Sequence, residues 1–388
     1  MTFSSVTSSL SSNIFVQLED LKQAFIQAGG EALNLSVGTP DFEPDRHVME
    51  ALRTAALNPE NYRYSLTDLP ILTEAVIRWY ERRFGVSLSK DQITSVNGSQ
   101  EGIAHISFPL CDPGDIVLVP DPGYPIFSFG PLLAGAKLVT VPVLPQNKYL
   151  INFDKIDPVI AQQAKLIILS YPNNPVCATA DYAFYERLIA FAKKYDIFVV
   201  HDNAYCELVM DGPPGMSFLA VPGAIDVGIE FNSLSKSYNL TGARISFAVG
   251  NRSIIEKFKS VRSQVDYGMF YPLQYAAIAA LDGPQDILER NRTAYRQRRD
   301  SLCEGLRSIG WAIKDSPATM FCWAPLPKGY THSVSFVSKL VEKTGIICVP
   351  GSSFGPGGEG YVRFALTQTP ETIACAVARI KNSGLLNG

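Results

Sequence analysis

Short continuous apolar runs alternate with helical patterns through the middle of the chain. The runs at 115–120 (DIVLVP) and 165–170 (KLIILS) read as buried strands, and so do 197–200 (IFVV), 227–231 (VGIEF) and 245–249 (ISFAV). Between the second and third, residues 182–195 (YAFYERLIAFAKKY) carry the apolar spacing of an amphipathic helix. Asp181 is its candidate N-cap. Helical patterns recur at 253–263 and 272–281. Strands alternating with helices predict an α/β layered domain with a largely parallel sheet. Runs that are apolar throughout, rather than at every second position, fit a sheet covered on both faces. After Gly283 the texture changes, and a long charged helix at 287–309 leads into a smaller set of strands and helices. A boundary is therefore expected near 283, with a large domain at 46–283 and a small one at 284–388. Residues 1–45 are too few for a domain and are expected to pack on the C-terminal part.

Composition narrows the function classes. At about 150 residues per domain, 388 residues suggest two to three domains. Lys and Arg number 34 against 37 Asp and Glu, a net charge of −3, so no basic footprint for nucleic acid or a membrane surface is present. No stretch of about 18 apolar residues free of charge and proline occurs, which argues against a transmembrane helix. The seven cysteines form no CxxC pair and read as free thiols of a reducing compartment. The four histidines lack metal-ligand spacing, so no metal is expected. Residues 1–13, rich in Ser and Thr, lack the basic start and apolar core of a signal peptide. They read as a frayed arm, and a cytoplasmic location is expected.

The candidate chemistry lies where the strands end. Lys236 follows the run at 227–231, flanked by Ser233 and Ser235 with Arg244 eight residues on. An amine for a Schiff base thus stands beside hydroxyls and a guanidinium that suit a phosphate. Asp202 follows another strand, with Tyr205 three residues later. A carboxylate about 3 Å from a protonated ring nitrogen is worth roughly 5 kcal/mol before desolvation at an effective dielectric near 20. The plain alternative for Asp202 is a helix N-cap. Asn174 in Tyr171-Pro-Asn-Asn-Pro175 could donate to a phenolate oxygen, although Asn-Pro is also a common turn. Gly98, Ser99 and Gln100 open an amphipathic helix and form a candidate phosphate cup at its positive end. Tyr124, in a Pro-Gly-Tyr-Pro turn, could stack on an aromatic ring. Arg363 sits inside an apolar strand, which is costly unless it meets an anion such as a substrate carboxylate or a structural partner.

In this order the pieces resemble the class I/II aminotransferases of the fold-type I pyridoxal-phosphate enzymes. The matching residues are Gly38-Thr-Pro-Asp41, Asn97-Gly-Ser-Gln100, Pro122-Gly-Tyr-Pro125, Asn173-Asn-Pro175, Asp202, Tyr205, Ser233, Ser235, Lys236, Arg244 and Arg363. Within that family the chain looks most like the LL-diaminopimelate aminotransferase-like branch. The resemblance implies a large domain with a mostly parallel seven-stranded sheet and a smaller α+β domain. It implies that pyridoxal 5′-phosphate is carried on Lys236, which also shuttles the proton. It implies Asp202 at the ring nitrogen, Tyr205 and Asn174 at the ring hydroxyl, and Tyr124 on the ring face. Gly98, Ser99, Gln100, Ser233, Ser235 and Arg244 would bind the phosphate, and Arg363 with Gly38 and Asn174 the substrate carboxylate. A tyrosine of the neighbouring subunit, Tyr64 with Tyr62 as the alternative, would complete the phosphate site of a homodimer.

Three positions depart from the family pattern: Val176-Cys177 after Asn174-Pro175, Ser246 after Arg244-Ile245, and Asp68 before Leu69-Pro70. Where dicarboxylate transaminases carry a second arginine, residues 264–270 (QVDYGMF) have none. Asp266 and Tyr267 offer a partner for a distal ammonium, with a structural Asp266 as the alternative. The expected reaction moves an amino group from an L-amino acid to a 2-oxo acid. A β-lyase or decarboxylase on the same scaffold, and a catalytically silent ligand-binding homologue, are the other readings.

Overall fold

The computed structural model describes residues 14–386. Its strands are β1 (Leu33–Asn34), β2 (Ile93–Val96), β3 (Ile116–Asp121), β4 (Lys137–Pro142), β5 (Ala164–Ser170), β6 (Phe198–Asp202), β7 (Gly228–Ser233), β8 (Ser246–Gly250), β9 (Phe321–Pro325), β10 (Ile346–Ile347), β11 (Val349–Pro350) and β12 (Tyr361–Ala365). The expected apolar runs all fall in one seven-stranded sheet of order β2-β8-β7-β6-β5-β3-β4. In it β8 runs antiparallel to both neighbours, while β7–β6, β6–β5, β5–β3 and β3–β4 are parallel pairs. Alternate residues of one strand enter separate cores. Ile167, Leu169 and Val199 face one, and Leu166, Ile168 and Val200 face the other. A strand buried on both faces has to be apolar throughout, which is the pattern the sequence carries.

Two of these strands run further than their apolar stretches. β6 ends on His201-Asp202 and β7 on Asn232-Ser233. The ladder continues through Ser170↔Asp202 and Asp202↔Phe231, because pairing is a property of the backbone and not of side-chain hydropathy. The helix expected at 182–195 spans Tyr182–Tyr195, and the Asp181 side chain accepts from the Phe184 N–H at its start. The charged helix spans Asp286–Ser308.

Beyond it, β9, β11 and β12 form an antiparallel sheet in the order β11-β12-β9. The N-terminal segment joins this part of the molecule. β1 pairs in parallel with β10, the Ala365 N–H donates to the Leu35 carbonyl at 2.7 Å, and helix Ile14–Gln27 packs on helix Ser333–Thr344. The arm expected at 1–13 lies outside the described residues. All seven cysteines are free thiols, six of them buried and Cys375 exposed. Among the described residues no helix is long and apolar enough to cross a membrane.

Candidate active site

The carboxyl ends of β5, β6 and β7 open into a cleft of about 800 Å³, the position where open α/β sheets offer a crevice. After β7 the chain turns into the short helix Leu234–Ser237, whose N-cap Ser233 accepts from the Ser235 N–H. Lys236 therefore stands within one turn of the strand end. Its Nζ donates to the Gly38 carbonyl at 2.6 Å. Burial, and then the positive charges of Arg244 and Arg363, bring its pKa down to about 8. Position 38 has room for glycine alone, since a Cβ there would lie 2.5 Å from the Phe321 ring.

Asp202 ends β6 and lines the same cleft. Burial raises its pKa to about 6. No helix starts at Asp202; its Oδ1 accepts from the Ala204 N–H at 3.3 Å in a local turn. Tyr205 lies buried beside Phe321, with ring centroids 5.9 Å apart, and burial pushes its hydroxyl pKa up. Arg363 reaches the cleft from β12. Its Nη1 donates to Asn174 Oδ1 at 2.8 Å and its Nη2 to the Ser36 carbonyl at 3.0 Å. The guanidinium lies over the rings of Phe321, at 4.0 Å, and Phe354, at 4.7 Å. Desolvation lowers its pKa to about 10, so it stays charged at neutral pH. Its Nε is buried with no partner among the described residues, so the guanidinium keeps a donor for an anion.

The third group surrounds the start of helix Ser99–Leu110. Gly98 has φ +94°, and a Cβ there would collide with the Arg244 guanidinium. The glycine thus lets a cation approach a helix N-terminus of twelve residues, where unpaired N–H groups favour an anion. Ser99, Gln100, Ser233 and Ser235 line this end, and the Tyr124 hydroxyl donates to Gln100 Oε1 at 3.0 Å. The Ser233 hydroxyl is already engaged, capping the turn and accepting from the Ser246 hydroxyl at 2.8 Å. Of the sequence candidates, Tyr64 is not brought to the cleft of its own chain. It is 78% exposed and packs on Tyr267, while Tyr62 is 65% exposed with its hydroxyl bonded to the Ala56 carbonyl.

The family model described as aminotransferase class I and II matches residues 31–380. This chain is a class I/II aminotransferase. Among curated relatives it is 44% identical to the LL-diaminopimelate aminotransferase of Moorella thermoacetica over 370 residues, 95% of each chain. Among solved structures it is similar to substrate-bound BacF from Bacillus subtilis, with TM-score 0.94 and 35% identity over 98% of both chains. It is also similar to a probable N-succinyldiaminopimelate aminotransferase from Thermus thermophilus, with TM-score 0.90 and 31% identity over 96% of this chain and 100% of that one.

The aminotransferase accommodates each departure from the family pattern. Cys177 takes a left-handed φ of +62°. Its thiol lies 3.3 Å from both the Thr319 hydroxyl and the Phe321 carbonyl. Ser246 supports Ser233, and Asp68 Oδ2 accepts from the Ser95 N–H at 2.8 Å. Asp266, open from sequence to a role at a distal ammonium, is instead held by Arg262 at 2.9 Å and accepts from the Gly268 N–H at 2.8 Å. The structural alternative holds for Asp266, because its charge is already met within the fold. Sequence reasoning missed Ser36, Phe321 and Phe354 around Arg363. Ser36 lies two residues before the Gly38-Thr-Pro-Asp41 match; the two phenylalanines carry no local signal.

Proposed function

We propose that this aminotransferase works with pyridoxal 5′-phosphate, takes LL-diaminopimelate or a related amino acid as donor, and passes the amino group to a 2-oxo acid. The observation that carries the reading is the convergence of Lys236, Asp202 and Arg363, from three separate stretches of chain, on one cleft. When bound, the cofactor supplies an aldehyde that takes up the amino group and a ring that withdraws electrons from it. Lys236 would hold it and, with a pKa near 8, carry the proton to and from the substrate Cα as a free amine. Asp202 would keep the ring nitrogen protonated, Tyr205 and Asn174 would hold the ring hydroxyl, and Tyr124 would cover the ring face. Gly98, Ser99, Gln100, Ser235 and Arg244, with Ser233 behind them, suit the phosphate. Arg363 suits the substrate carboxylate, with Asn174 and the backbone at Gly38 beside it.

The donor rests on curated relatives of 41–44% identity that carry the LL-diaminopimelate name. We read residues 46–283 as the cofactor domain and 284–388, with the segment before 46, as the small domain of a cytoplasmic homodimer. Tyr64 would cross to the neighbour's phosphate, since the Tyr62 hydroxyl is already bonded at home. The test is the visible spectrum of the holoenzyme titrated with single amino acids and no acceptor. LL-diaminopimelate is expected to bleach the yellow band at lower concentration than lysine, glutamate or the aromatic amino acids. A band that none of them bleaches would overturn the reading.

A further inference from the structure

Behind the cleft, on the side of the sheet away from Asp202, a carboxyl group and an imidazole are buried together with no access to solvent. They belong to Glu230 in β7 and His201 in β6, which face each other across the ladder. Glu230 Oε1 accepts from the hydroxyls of Tyr80 at 3.0 Å and Ser217 at 2.9 Å. Its Oε2 accepts from the Phe218 N–H at 3.0 Å and lies 3.1 Å from His201 Nδ1. On the far side of the imidazole, the Tyr171 backbone N–H donates to Nε2 at 3.3 Å, and the Tyr185 hydroxyl lies 3.1 Å from the same nitrogen. A backbone N–H can only donate, so Nε2 carries the lone pair and Nδ1 the proton that Glu230 accepts.

An apolar pair of this volume would fill the space at no desolvation cost. What it would not do is fix directions. The β5–β6 ladder ends at Ser170↔Asp202, and Tyr171 is the first residue beyond it. His201 thus adds one side-chain hydrogen bond to the end of the ladder, at the head of the turn that leads to Asn174. The same residue is the covalent neighbour of Asp202, and Glu230 stands six residues before Lys236. We propose that Glu230 and His201 are positioning residues, a buried relay that ties the ends of β5, β6 and β7 and so aims Asn174 and Asp202 at the cofactor ring. Asn174, three residues beyond Tyr171, accepts in turn from Arg363 through its Oδ1. This inference rests on the cofactor reading above.

Two substitutions separate the halves of the relay. His201→Gln keeps an acceptor where Nε2 stood, and His201→Asn keeps a donor toward Glu230 but strands the Tyr171 N–H. Cofactor-free protein is titrated with pyridoxal 5′-phosphate and followed by absorbance, with circular dichroism as the control for folding. His201→Asn is expected to bind the cofactor about tenfold more weakly and to move the pH midpoint of the visible band by about half a unit. His201→Gln is expected to stay within about twofold of the wild type. Equal behaviour of the two variants, whether intact or impaired, overturns the relay and leaves a packing role. If wild-type protein takes up no cofactor, the cofactor reading falls first and this one with it. Should neither variant fold, nitrogen-15 spectra of the wild type decide, since only four histidines contribute. An Nδ1–H tautomer of His201 at neutral pH is expected, and a proton on Nε2 overturns the proposal.

Discussion

Asp202 is buried with one backbone N–H on its carboxylate, which leaves it a weak match for its own charge until a cation arrives. Its pKa of about 6, against a usual 3.8, expresses that mismatch. The folded chain holds this proton more tightly than the unfolded chain. Stability therefore falls as pH rises from 3.8 to 6, and the whole deficit is present above 6. Asp202→Asn removes it. The cofactor-free variant is expected to gain up to about 3 kcal/mol at pH 8 in urea unfolding. Its amino-transfer rate is expected to fall by a factor on the order of 10³ in single-turnover experiments. A variant no more stable than the wild type would show that burial does not disfavour this charge. At the same scale, Cys177 occupies a left-handed conformation that favours glycine. Its thiol contacts with Thr319 and Phe321 compensate.

At the scale of an element, the edge strand β2 leads directly into the turn at Gly98 and Ser99. It pairs only with β8, so its outer polar groups need partners from elsewhere. Asp68 accepts from both the N–H and the hydroxyl of Ser95, and Arg262 donates to the Ser95 carbonyl and, at 3.2 Å, to the Thr94 hydroxyl. Asp266 then joins Arg262 to the Asn97 amide at 3.3 Å. The two acidic residues that depart from or stand outside the family pattern thus hold the strand that ends in the candidate phosphate cup. Asp68→Gly, the residue usual in the family, is expected to cost about 1–3 kcal/mol in urea unfolding because it strands a buried N–H. A smaller loss than that would mean the strand edge finds water instead. Asp68 was legible as an oddity in the sequence, but its partner Ser95 was not, since neither periodicity nor a motif links the two.

On the scale of the whole molecule, the cleft is assembled from distant stretches. The segment of Ser36 and Gly38 lies between Arg363 of the small sheet and Lys236 of the large one. Outside the cleft, the exposed rings of Tyr62 and Tyr64 pack on those of Phe270 and Tyr267, apolar surface of the kind that marks an interface. Light scattering is expected to give twice the chain mass. Tyr64→Phe is expected to weaken pyridoxal 5′-phosphate binding about tenfold, with Tyr62→Phe nearer the wild type. Hybrid dimers of Lys236→Ala and Tyr64→Phe subunits are expected to recover one site of full affinity. No recovery would overturn the crossing of Tyr64 to the neighbouring site.

The elements and most of the candidate chemistry are written in local features of the chain. Apolar runs and helical spacing are local signals, and they placed the strands at 165–170 and 227–231 and the helix at 182–195 to within a few residues. Motif order then carried the family, because Lys236 and Asp202 stand at strand ends and Arg363 is a charge inside an apolar strand. The partners of those groups emerge only when the chain is folded. Arg363 meets Asn174 across 189 residues and Ser36 across 327, and no short-range pattern encodes such pairs. The same holds for Asp266, whose sequence context left two roles open until Arg262 was seen to neutralise it. It holds also for Glu230, which as a sequence position is one acidic residue in an apolar run. Its four donors come from three different stretches of chain and exist together only once the sheet has formed and its helices have packed over it.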